Sequence, residues 1–259
     1  MNEIITFGQN YKLIPGIKVF CESTKDKADR VTIIGIDLQP EVTQYLETQE
    51  HINLVDGRQI AKKYNVNLQI SPYTLKVIFY YLYCKHLSNA ENVFVCDFTD
   101  MFFQKSPFEL IKNSKPYVTS ENYLIQDCNT NSTWINLCYN ADIHNMLKSK
   151  EILNGGNIFG NKVTVIDFLK DLCDDLKQII SRIGNYPNPD QAAINKLVYF
   201  DQHRYNILNG FEIINFAHHG TAKVDLQDTV KVNGKVPFII HQYDVIKSLE
   251  NFLYDKHNQ

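Results

Sequence analysis

The sequence predicts an α/β fold with a Rossmann-like, mostly parallel central sheet flanked by helices. The first hundred residues alternate short apolar runs, rich in β-branched and aromatic residues, with stretches of helical periodicity. This order is typical of doubly wound sheets. The chain has 259 residues, of which 44% are hydrophobic, and this supplies enough core for one large domain. We therefore expect a single domain over residues 1–259.

The predicted elements follow from apolar runs that end in polar or turn-forming residues. In the first half, strands are expected at residues 4–7, 31–36, 52–55 and 93–96, with helices at 17–23, after Pro40 and at 73–87. The second half is less regular. It is expected to contain a strand at 116–120, a polar loop at 121–140, a glycine-rich segment at 154–160, helices at 163–180 and 190–197, a strand at 236–240 and a last helix. Parallel sheets bind ligands beyond the carboxyl ends of their strands, so the residues after each strand are the candidates for function.

Composition and charge argue against several kinds of partner. The net charge of -3, the pI near 6.2 and the lack of a polybasic cluster argue against nucleic acid. The longest apolar run, residues 77–84, is far shorter than the roughly 20 residues of a membrane-spanning helix. The first residues lack the basic-then-apolar order of a signal peptide. We therefore expect a soluble, cytoplasmic protein without a membrane span.

The six cysteines form no Cys-x-x-Cys pair. In a chain that is not exported, such cysteines are expected to be buried thiols, not disulfides or zinc ligands. The glycosylation sequon that begins at Asn131 is then expected to be incidental.

The strongest local signal is the segment 93–108, in which two carboxylates follow an apolar strand. Asp97 comes directly after the strand and Asp100 three residues later. Carboxylate oxygens are hard ligands that suit Mn²⁺ or Mg²⁺ bound together with phosphates. A metal held there would stabilise, as a Lewis acid, the charge of a departing diphosphate. On this segment alone the alternative stays open that Asp97 caps the strand and Asp100 caps the next helical turn.

Later segments carry both a functional and a structural interpretation. His241 also follows an apolar strand, and neutral imidazole is a ligand for Mn²⁺, although a histidine at a strand end is commonly structural. Gly155 and Gly156 either make a tight turn or let a ligand approach the backbone. Asp190 stands at a predicted helix start, where it is a good N-cap.

These segments, in this order, resemble the motifs of A-type-fold glycosyltransferases, in particular retaining enzymes similar to family 8. The Asp97-x-x-Asp100 segment resembles their metal motif, a variant of Asp-x-Asp followed by an aromatic residue, Gln and Pro-Phe. Three further segments resemble the Asn-x-Gly segment that lines the donor sugar, the Asp-Gln-x-x-x-Asn helix start and the late strand with a metal-binding His: 154–160, 188–195 and 237–244. Where the family motif carries Arg, this chain has Thr99. The matches span residues 93–244, and the first 90 residues match only in architecture.

The resemblance implies an A-type glycosyltransferase fold with a divalent metal, Mn²⁺ or Mg²⁺, on Asp97, Asp100 and His241. It places Asp190 and Gln191 at the reaction centre, beside the anomeric carbon of the donor. It also implies that the configuration at this carbon is retained.

The remaining site residues are assigned to the parts of a nucleotide sugar. Asn154, Gly155 and Gly156 are implied to line the donor sugar, with Asn154 hydrogen-bonding its hydroxyls. Phe7 and Asn10 follow the first strand, where an aromatic ring is able to stack on uracil and an amide to read its edge.

Two residues are candidates for the diphosphate and two for the acceptor. Lys76, on the helix before the metal strand, and His219, in the polar cluster 218–221, are the diphosphate candidates. The alternatives are a solvated helix lysine and a simple turn. Glu121 and Trp134 are the acceptor candidates, since an indole face stacks on sugar rings. Trp134 is alternatively a residue of the core.

The sequence thus predicts a metal-dependent glycosyltransferase that moves a hexose from a UDP-sugar to a hydroxyl of a glycan or other acceptor. Residues 1–100 are expected to form the nucleotide-binding half, and residues 101–259 the half for the donor sugar and the acceptor. Two alternatives stay open. One is a metal-dependent phosphohydrolase or nucleotidyltransferase that uses the same residues. The other is a module that binds nucleotide sugars without turnover.

Overall fold

The computed structural model describes residues 1–12, 15–184, 189–216, 223–227 and 229–257. Its strands are β1 (Asn2–Gln9), β2 (Arg30–Ile36), β3 (Ile52–Asp56), β4 (Asn92–Cys96), β5 (Met101–Phe103), β6 (Tyr117–Leu124), β7 (Glu151–Leu153), β8 (Asn157–Asn161), β9 (Asn206–Leu208), β10 (Ile213–Asn215), β11 (Val224–Leu226), β12 (Val230–Val232) and β13 (Ile239–His241). Its α-helices are α1 (Pro15–Thr24), α2 (Pro40–Glu47), α3 (Gly57–Tyr64), α4 (Pro72–His86), α5 (Asn129–Cys138), α6 (Ala141–Leu147), α7 (Lys162–Ile183), α8 (Pro189–Phe200) and α9 (Lys247–His257).

The main sheet is mostly parallel. Its order is β3-β2-β1-β4-β8-β6-β7, with β9 paired to β6. The first four strands in this order run parallel to one another. β8 is antiparallel to β4 and β6, and β7 is antiparallel to β6, whereas β9 is parallel to β6. The predicted α/β fold with a mostly parallel sheet is therefore confirmed. Among the described strands of the main sheet, antiparallel pairing occurs only beyond β4.

Helices cover both faces of this sheet. Successive residues of a strand point to opposite faces, so the apolar strands present buried side chains to a helical layer on each side. Ile5 of β1 belongs to a buried apolar cluster that includes Phe79 of α4 and Leu169 of α7. Its neighbour Ile4 belongs to a second cluster that includes Phe20 of α1. Burial of these side chains on both faces holds the carboxyl ends of β1 and β4 at fixed positions.

A smaller, three-stranded sheet has the order β10-β13-β5. β13 is parallel to β10 and antiparallel to β5, with His241 opposite Met101. The buried residues Ile240 and Tyr243 pack in a third apolar cluster with Leu249 of α9. This sheet brings the late part of the chain back to the residues that follow β4.

The structure corrects the predicted polar loop at 121–140, because β6 extends into it and α5 occupies much of the rest. α5 buries Asn131, Ile135 and Cys138, which recur at helical spacing. The sequence pattern conceals this helix because one of its buried positions is polar. The N-cap is also unusual, since the sulfur of Cys128 accepts the N–H of Asn131 in place of a Ser, Thr or Asp oxygen.

Two other elements differ from the prediction. α3 was not expected, since most of its residues are polar, and it is stabilised by an N-cap in which Asp56 accepts the N–H of Arg58. The strand predicted at 236–240 is shorter and begins at Ile239. Pro237 has no N–H to donate to a neighbouring strand, which explains the later start.

All six cysteines are buried free thiols, which confirms that prediction. Asn131, the first residue of the sequon, is buried as well. In the part of the chain that the structure describes, no helix has the length and apolar character that crossing a membrane requires.

Candidate active site

Two carboxylates and one imidazole meet at the carboxyl edge of β4. Asp97 follows the last residue of β4, and Asp100 immediately precedes β5. Since β13 pairs with β5 so that His241 is opposite Met101, the imidazole is brought beside both carboxylates. The potential ligand atoms of the three side chains all lie within 4.8 Å of one another. Strand pairing, not sequence proximity, assembles this cluster.

His241 faces both carboxylates and is almost completely buried. Its Nε2 lies 3.6 Å from Oδ2 of Asp97 and 3.3 Å from Oδ2 of Asp100. Among the described residues, Nδ1 has no hydrogen-bond partner, and Nε2 faces only these two carboxylates. Because two carboxylates and one imidazole nitrogen converge on the same space, the arrangement fits a group that contacts Nε2 and both carboxylates at once. A divalent cation with oxygen and nitrogen ligands is such a group.

Burial and charge set the protonation states of this cluster. Burial lowers the pKa of His241, but the carboxylates of Asp100 and Asp97 outweigh it and raise the pKa to about 10. Burial raises the pKa of Asp97, but Lys76 and His241 outweigh it and hold the pKa well below its usual range. Asp97 is therefore ionised at neutral pH, as a metal ligand must be.

Lys76 of α4 links the cluster to α8. Its Nζ lies 2.8 Å from Oδ1 of Asp97 and 3.0 Å from Oδ2 of Asp190, and it donates to the carbonyl oxygen of Gly155 at 3.3 Å. Burial lowers the pKa of Lys76, but Asp190 and Asp97 outweigh it and raise the pKa well above its usual value. Lys76 is thus a buried cation and not a solvated helix lysine.

Asp190 is the second residue of α8 and is buried, with its carboxylate directed at Lys76. Burial raises its pKa, and the ammonium group of Lys76 opposes that rise. Asp190 lies inside the helix and not at its N-cap, although the backbone N–H of Gln191 in the first turn also lowers the pKa of its carboxyl group.

The glycine-rich turn between β7 and β8 lies against the same cluster. A Cβ on Gly156 would lie 2.3 Å from Cε1 of His241 and 2.8 Å from Oδ2 of Asp97, so only glycine fits. The N–H of Gly156 donates to Oδ1 of Asn154 at 2.7 Å, which fixes the turn. The turn is therefore tight and also close to the candidate metal ligands, and the approach of a donor sugar to its backbone stays a prediction.

Asn154 contacts protein groups in this structure. Its Nδ2 donates to Oε1 of Glu121 at 2.9 Å, while its Oδ1 accepts from Gly156 and, at 3.3 Å, from Nδ2 of Asn157. Glu121 is itself buried, and the same oxygen also accepts from Nδ2 of Asn215 at 2.9 Å. Asn154 thus orders the turn in this structure, and its contact with sugar hydroxyls stays a prediction.

Gln191 connects α8, α5 and the glycine turn. Its Nε2 donates to Oδ1 of Asn131 at 3.0 Å and to Oε1 of Glu121 at 3.3 Å. Its Oε1 accepts the N–H of Gly155 at 3.2 Å. Because both ends of the carboxamide are engaged, the side chain has one defined orientation.

A first cavity, of about 290 Å³, opens beside the cluster. Its lining comes from three stretches of the chain: Phe7, Gln9, Tyr11, Pro72, Tyr73, Lys76, Asp97, Phe98, Thr99 and Asp100. The ring of Phe7 stacks on Phe79 with 5.2 Å between centroids. Asn10 is not part of this lining, which differs from its predicted role. It is exposed in a left-handed conformation (φ 57°), and its N–H donates to the carbonyl oxygen of Ile36.

Sequence reasoning did not single out several residues of this wall. Gln9 and Tyr11 follow Phe7 at a spacing of two, the period of a strand, and this signal was available. Within the described residues, Oε1 of Gln9 is buried without a hydrogen-bond partner. Tyr73 carries no comparable signal, because α4 reaches the wall only through tertiary packing. Thr99 stands out in the sequence only as the position at which the family motif carries Arg.

A second cavity, of about 200 Å³, contains both residues predicted for the acceptor. Its lining is Glu121, Cys128, Thr130, Asn131, Trp134, Gln191 and Gln242. Trp134 is half-buried, and its side chain both packs against the main apolar cluster and lines this cavity.

Most of the predicted site residues thus lie in two neighbouring groups, one beside the first cavity and one beside the second. Gly155 contacts both groups, through Lys76 and through Gln191. His219, predicted to contact the diphosphate, lies outside the described residues, and so does Asn188 of the segment 188–195.

The strand order and the comparison with solved structures define an α/β protein with the A-type glycosyltransferase fold. Similar solved structures include the galactosyltransferase LgtC in complex with donor and acceptor sugar analogues, and an active-site mutant of LgtC. Each has a TM-score of 0.61 and 12% identity, over 99% of this chain and 96% of the other. No protein-family model and no curated protein sequence matches the chain. At this identity the likeness shows the fold alone.

Proposed function

We propose that the protein is a metal-dependent glycosyltransferase that moves a hexose from a UDP-sugar to a hydroxyl acceptor. The observation that carries the proposal is the cluster of Asp97, Asp100 and His241 beside a cavity at the carboxyl edge of the sheet. In α/β sheets this edge is where ligands bind. The A-type fold supports the same function.

The donor atoms of this cluster fit Mn²⁺ or Mg²⁺. Two carboxylates supply hard oxygens, and the buried Nε2 of His241 faces both of them. Asp97, Asp100 and His241 would hold the ion, and its chemistry there is Lewis-acid stabilisation of the negative charge on the departing diphosphate. Gly156 keeps the approach to these ligands open, because any side chain at that position would fill it.

Lys76, Asp190 and Gln191 are proposed to order the reaction centre. Lys76 lies between Asp97 and Asp190, and its ammonium group offsets the charge of both carboxylates and holds them in place. Gln191 is held between Gly155 and Asn131, which presents one face of its carboxamide next to the second cavity. A fixed amide next to the anomeric carbon suits retention of configuration, the outcome that we propose.

The wall of the first cavity supports uracil as the base of the donor. Phe7 and Tyr11 provide aromatic surface, and the buried Oε1 of Gln9 is an acceptor that complements the ring N–H of uracil. All residues that line this cavity belong to the first hundred. This supports residues 1–100 as the nucleotide-binding half of a single domain.

The second cavity supports transfer to an acceptor over simple hydrolysis. Trp134 offers an indole face, and Glu121, Asn131 and Gln242 offer polar groups of the kind that bind sugar hydroxyls. Its lining lies entirely within residues 101–259, the proposed half for donor sugar and acceptor. We therefore propose a glycan or another polyhydroxylated molecule as acceptor.

A donor screen tests the proposal. The purified full chain is incubated with individual UDP- and GDP-sugars, with Mn²⁺, with Mg²⁺ or with EDTA, and release of nucleoside diphosphate and of free sugar is measured. We expect Mn²⁺-dependent release of UDP from one UDP-hexose, with sugar transferred when a glycan acceptor is added. Release of phosphate or pyrophosphate without sugar would instead indicate a phosphohydrolase. Tight binding of UDP and Mn²⁺ without any release would indicate a binding module.

A further inference from the structure

The turn that carries both candidate metal-binding carboxylates is held by the residues after His241. The N–H of Gln242 donates to the carbonyl oxygen of Asp100 at 2.9 Å. The hydroxyl of Tyr243 donates to the carbonyl oxygen of Thr99, also at 2.9 Å. Three consecutive residues, 241–243, therefore contact the turn 97–100, one through an imidazole and two through hydrogen bonds to its backbone.

The carbonyl oxygen of Thr99 also lies against α1. A Cβ on Gly16 would lie 2.3 Å from this oxygen and 3.2 Å from the hydroxyl of Tyr243. The oxygen thus contacts both α1 and Tyr243, and it has no room to move toward the helix. Contacts this close fix the backbone from which Asp100 extends.

Tyr243 is well placed to act as a rigid support. It is fully buried, it packs in the cluster that includes Leu249 and Leu253 of α9, and its ring meets that of Tyr254 edge-on with 6.3 Å between centroids. The Asp100 side chain, in contrast, is 24% exposed. Its position depends mainly on its backbone.

We propose that Tyr243 is a positioning residue that sets the spacing between Asp100 and His241 and thereby the affinity for the divalent cation. This inference rests on the proposed function, since it concerns the same metal. Ligands held in place before binding lose less entropy when the ion arrives, so a lost support weakens binding. The backbone on both sides of Tyr243 is fixed by β13 and α9, so the support has little freedom itself.

The test compares Tyr243→Phe with a matched control, Tyr254→Phe. The first variant removes the hydroxyl that binds the turn, and the second removes a phenolic hydroxyl from α9 in the same apolar cluster. Mn²⁺ affinity of each metal-free full chain is measured by calorimetry and by Mn²⁺ electron paramagnetic resonance, together with thermal unfolding. We expect Tyr243→Phe to bind Mn²⁺ about fivefold more weakly, the effect of one lost hydrogen bond. Tyr254→Phe should retain the wild-type affinity.

A second variant perturbs the turn from α1. Gly16→Ala places a methyl group against the carbonyl oxygen of Thr99, and it should also weaken Mn²⁺ binding if the position of the turn controls affinity. Wild-type affinity in both Tyr243→Phe and Gly16→Ala would overturn the inference, and so would equal weakening in Tyr254→Phe. If the wild-type chain itself binds no Mn²⁺, both this inference and the metal requirement of the proposed function fail. If the wild type binds Mn²⁺ and the variants bind it equally well, only this inference fails.

Discussion

Two buried groups of charged residues lie at opposite ends of the central strands of the main sheet, and they differ in how their polar atoms are hydrogen-bonded. At the amino end of β1, the carboxylate of Glu3 is completely buried and paired with Arg30 at 2.7 Å. It also accepts hydrogen bonds from Thr32 at 2.7 Å, Tyr83 at 3.0 Å and Ser88 at 2.5 Å. Both of its oxygens are thus satisfied by the protein.

The group at the carboxyl edge of β4 is not satisfied in this way. Asp97 and Asp100 converge on the Nε2 of a buried imidazole whose Nδ1 has no hydrogen-bond partner in the described part of the chain. A buried polar group that the protein satisfies contributes to the fold, whereas one that the protein leaves incomplete is suited to a ligand. We therefore expect substitutions at the two edges to have opposite effects on stability and activity.

The largest effect is expected for Asp100→Asn. Replacing a metal-binding carboxylate with an amide should lower metal-dependent donor cleavage by about a thousandfold, since a metal supplies several kcal/mol of charge stabilisation. The free energy of unfolding of the metal-free chain should fall only modestly, because the buried imidazole of His241 loses the nearer of its two carboxylates and keeps that of Asp97. Initial rates and urea denaturation measure both quantities. A rate within tenfold of the wild type would contradict the metal assignment.

Glu3→Gln is expected to show the opposite pattern. The substitution leaves Arg30 without its buried counter-charge, and the loss of one partner of such a pair costs about 3 kcal/mol of unfolding free energy. The activity per folded molecule should stay at the wild-type level, because Glu3 lies at the other end of β1 from the site. Urea denaturation and kcat below the unfolding transition check this. A large fall in kcat of the folded variant would show that the two edges are coupled.

Gly156→Ala should damage the site with a somewhat smaller effect. A methyl group 2.3 Å from Cε1 of His241 must displace the imidazole or the turn. A displacement of about 1 Å in an active site costs about a hundredfold in rate. The matched control is Gly155→Ala, whose Cβ would meet Gln191 at the milder distance of 3.3 Å. Equal rates for the two variants would argue against a special role of Gly156.

The smallest effect concerns the pH dependence of stability. Burial raises the pKa of Glu3, but Arg30, Ser88 and Thr32 outweigh it and hold the pKa below its ordinary value of 4.5. A lowered pKa gives stability that is present above pH 4.5 and is lost as the pH falls through the pKa of the folded protein. Wild type should therefore lose more stability than Glu3→Gln between pH 5 and about pH 3. The difference in unfolding free energy between the wild type and Glu3→Gln, measured by denaturation, should therefore shrink as the pH falls. A difference that stays constant over this pH range would contradict this origin of the acid sensitivity.

Local sequence pattern was sufficient for the architecture. Strands such as β1 and β4 are apolar runs bounded by polar residues, and their alternation with helices predicts the sheet. α5 escaped prediction because Asn131 occupies a buried position and Cys128 caps the helix. A polar residue at a buried helix position and a cysteine at an N-cap are recognised only when their packing partners are known.

The site was predictable to a different extent. Asp97, Asp100 and His241 were identified through strand ends and motif resemblance, and the structure brings them together. The contact of Lys76 with Asp190 was not predictable, because it depends on how α4 and α8 pack. The contact of Tyr243 was not predictable for the same reason, since its hydroxyl donates to a backbone carbonyl oxygen, a group that every residue carries.

The pairing of β13 with β5 links residues that are far apart in the chain, as the contact between Tyr243 and Thr99 over 144 positions illustrates. Contacts across long sequence separations form late in folding, because the entropy of closing the intervening loop must be overcome first. An intermediate with the main sheet formed and β13 undocked would have two carboxylates and no imidazole. Metal uptake would then report that folding is complete. By mass action, an ion at a hundred times its dissociation constant would in turn stabilise the docked state by about 2.7 kcal/mol.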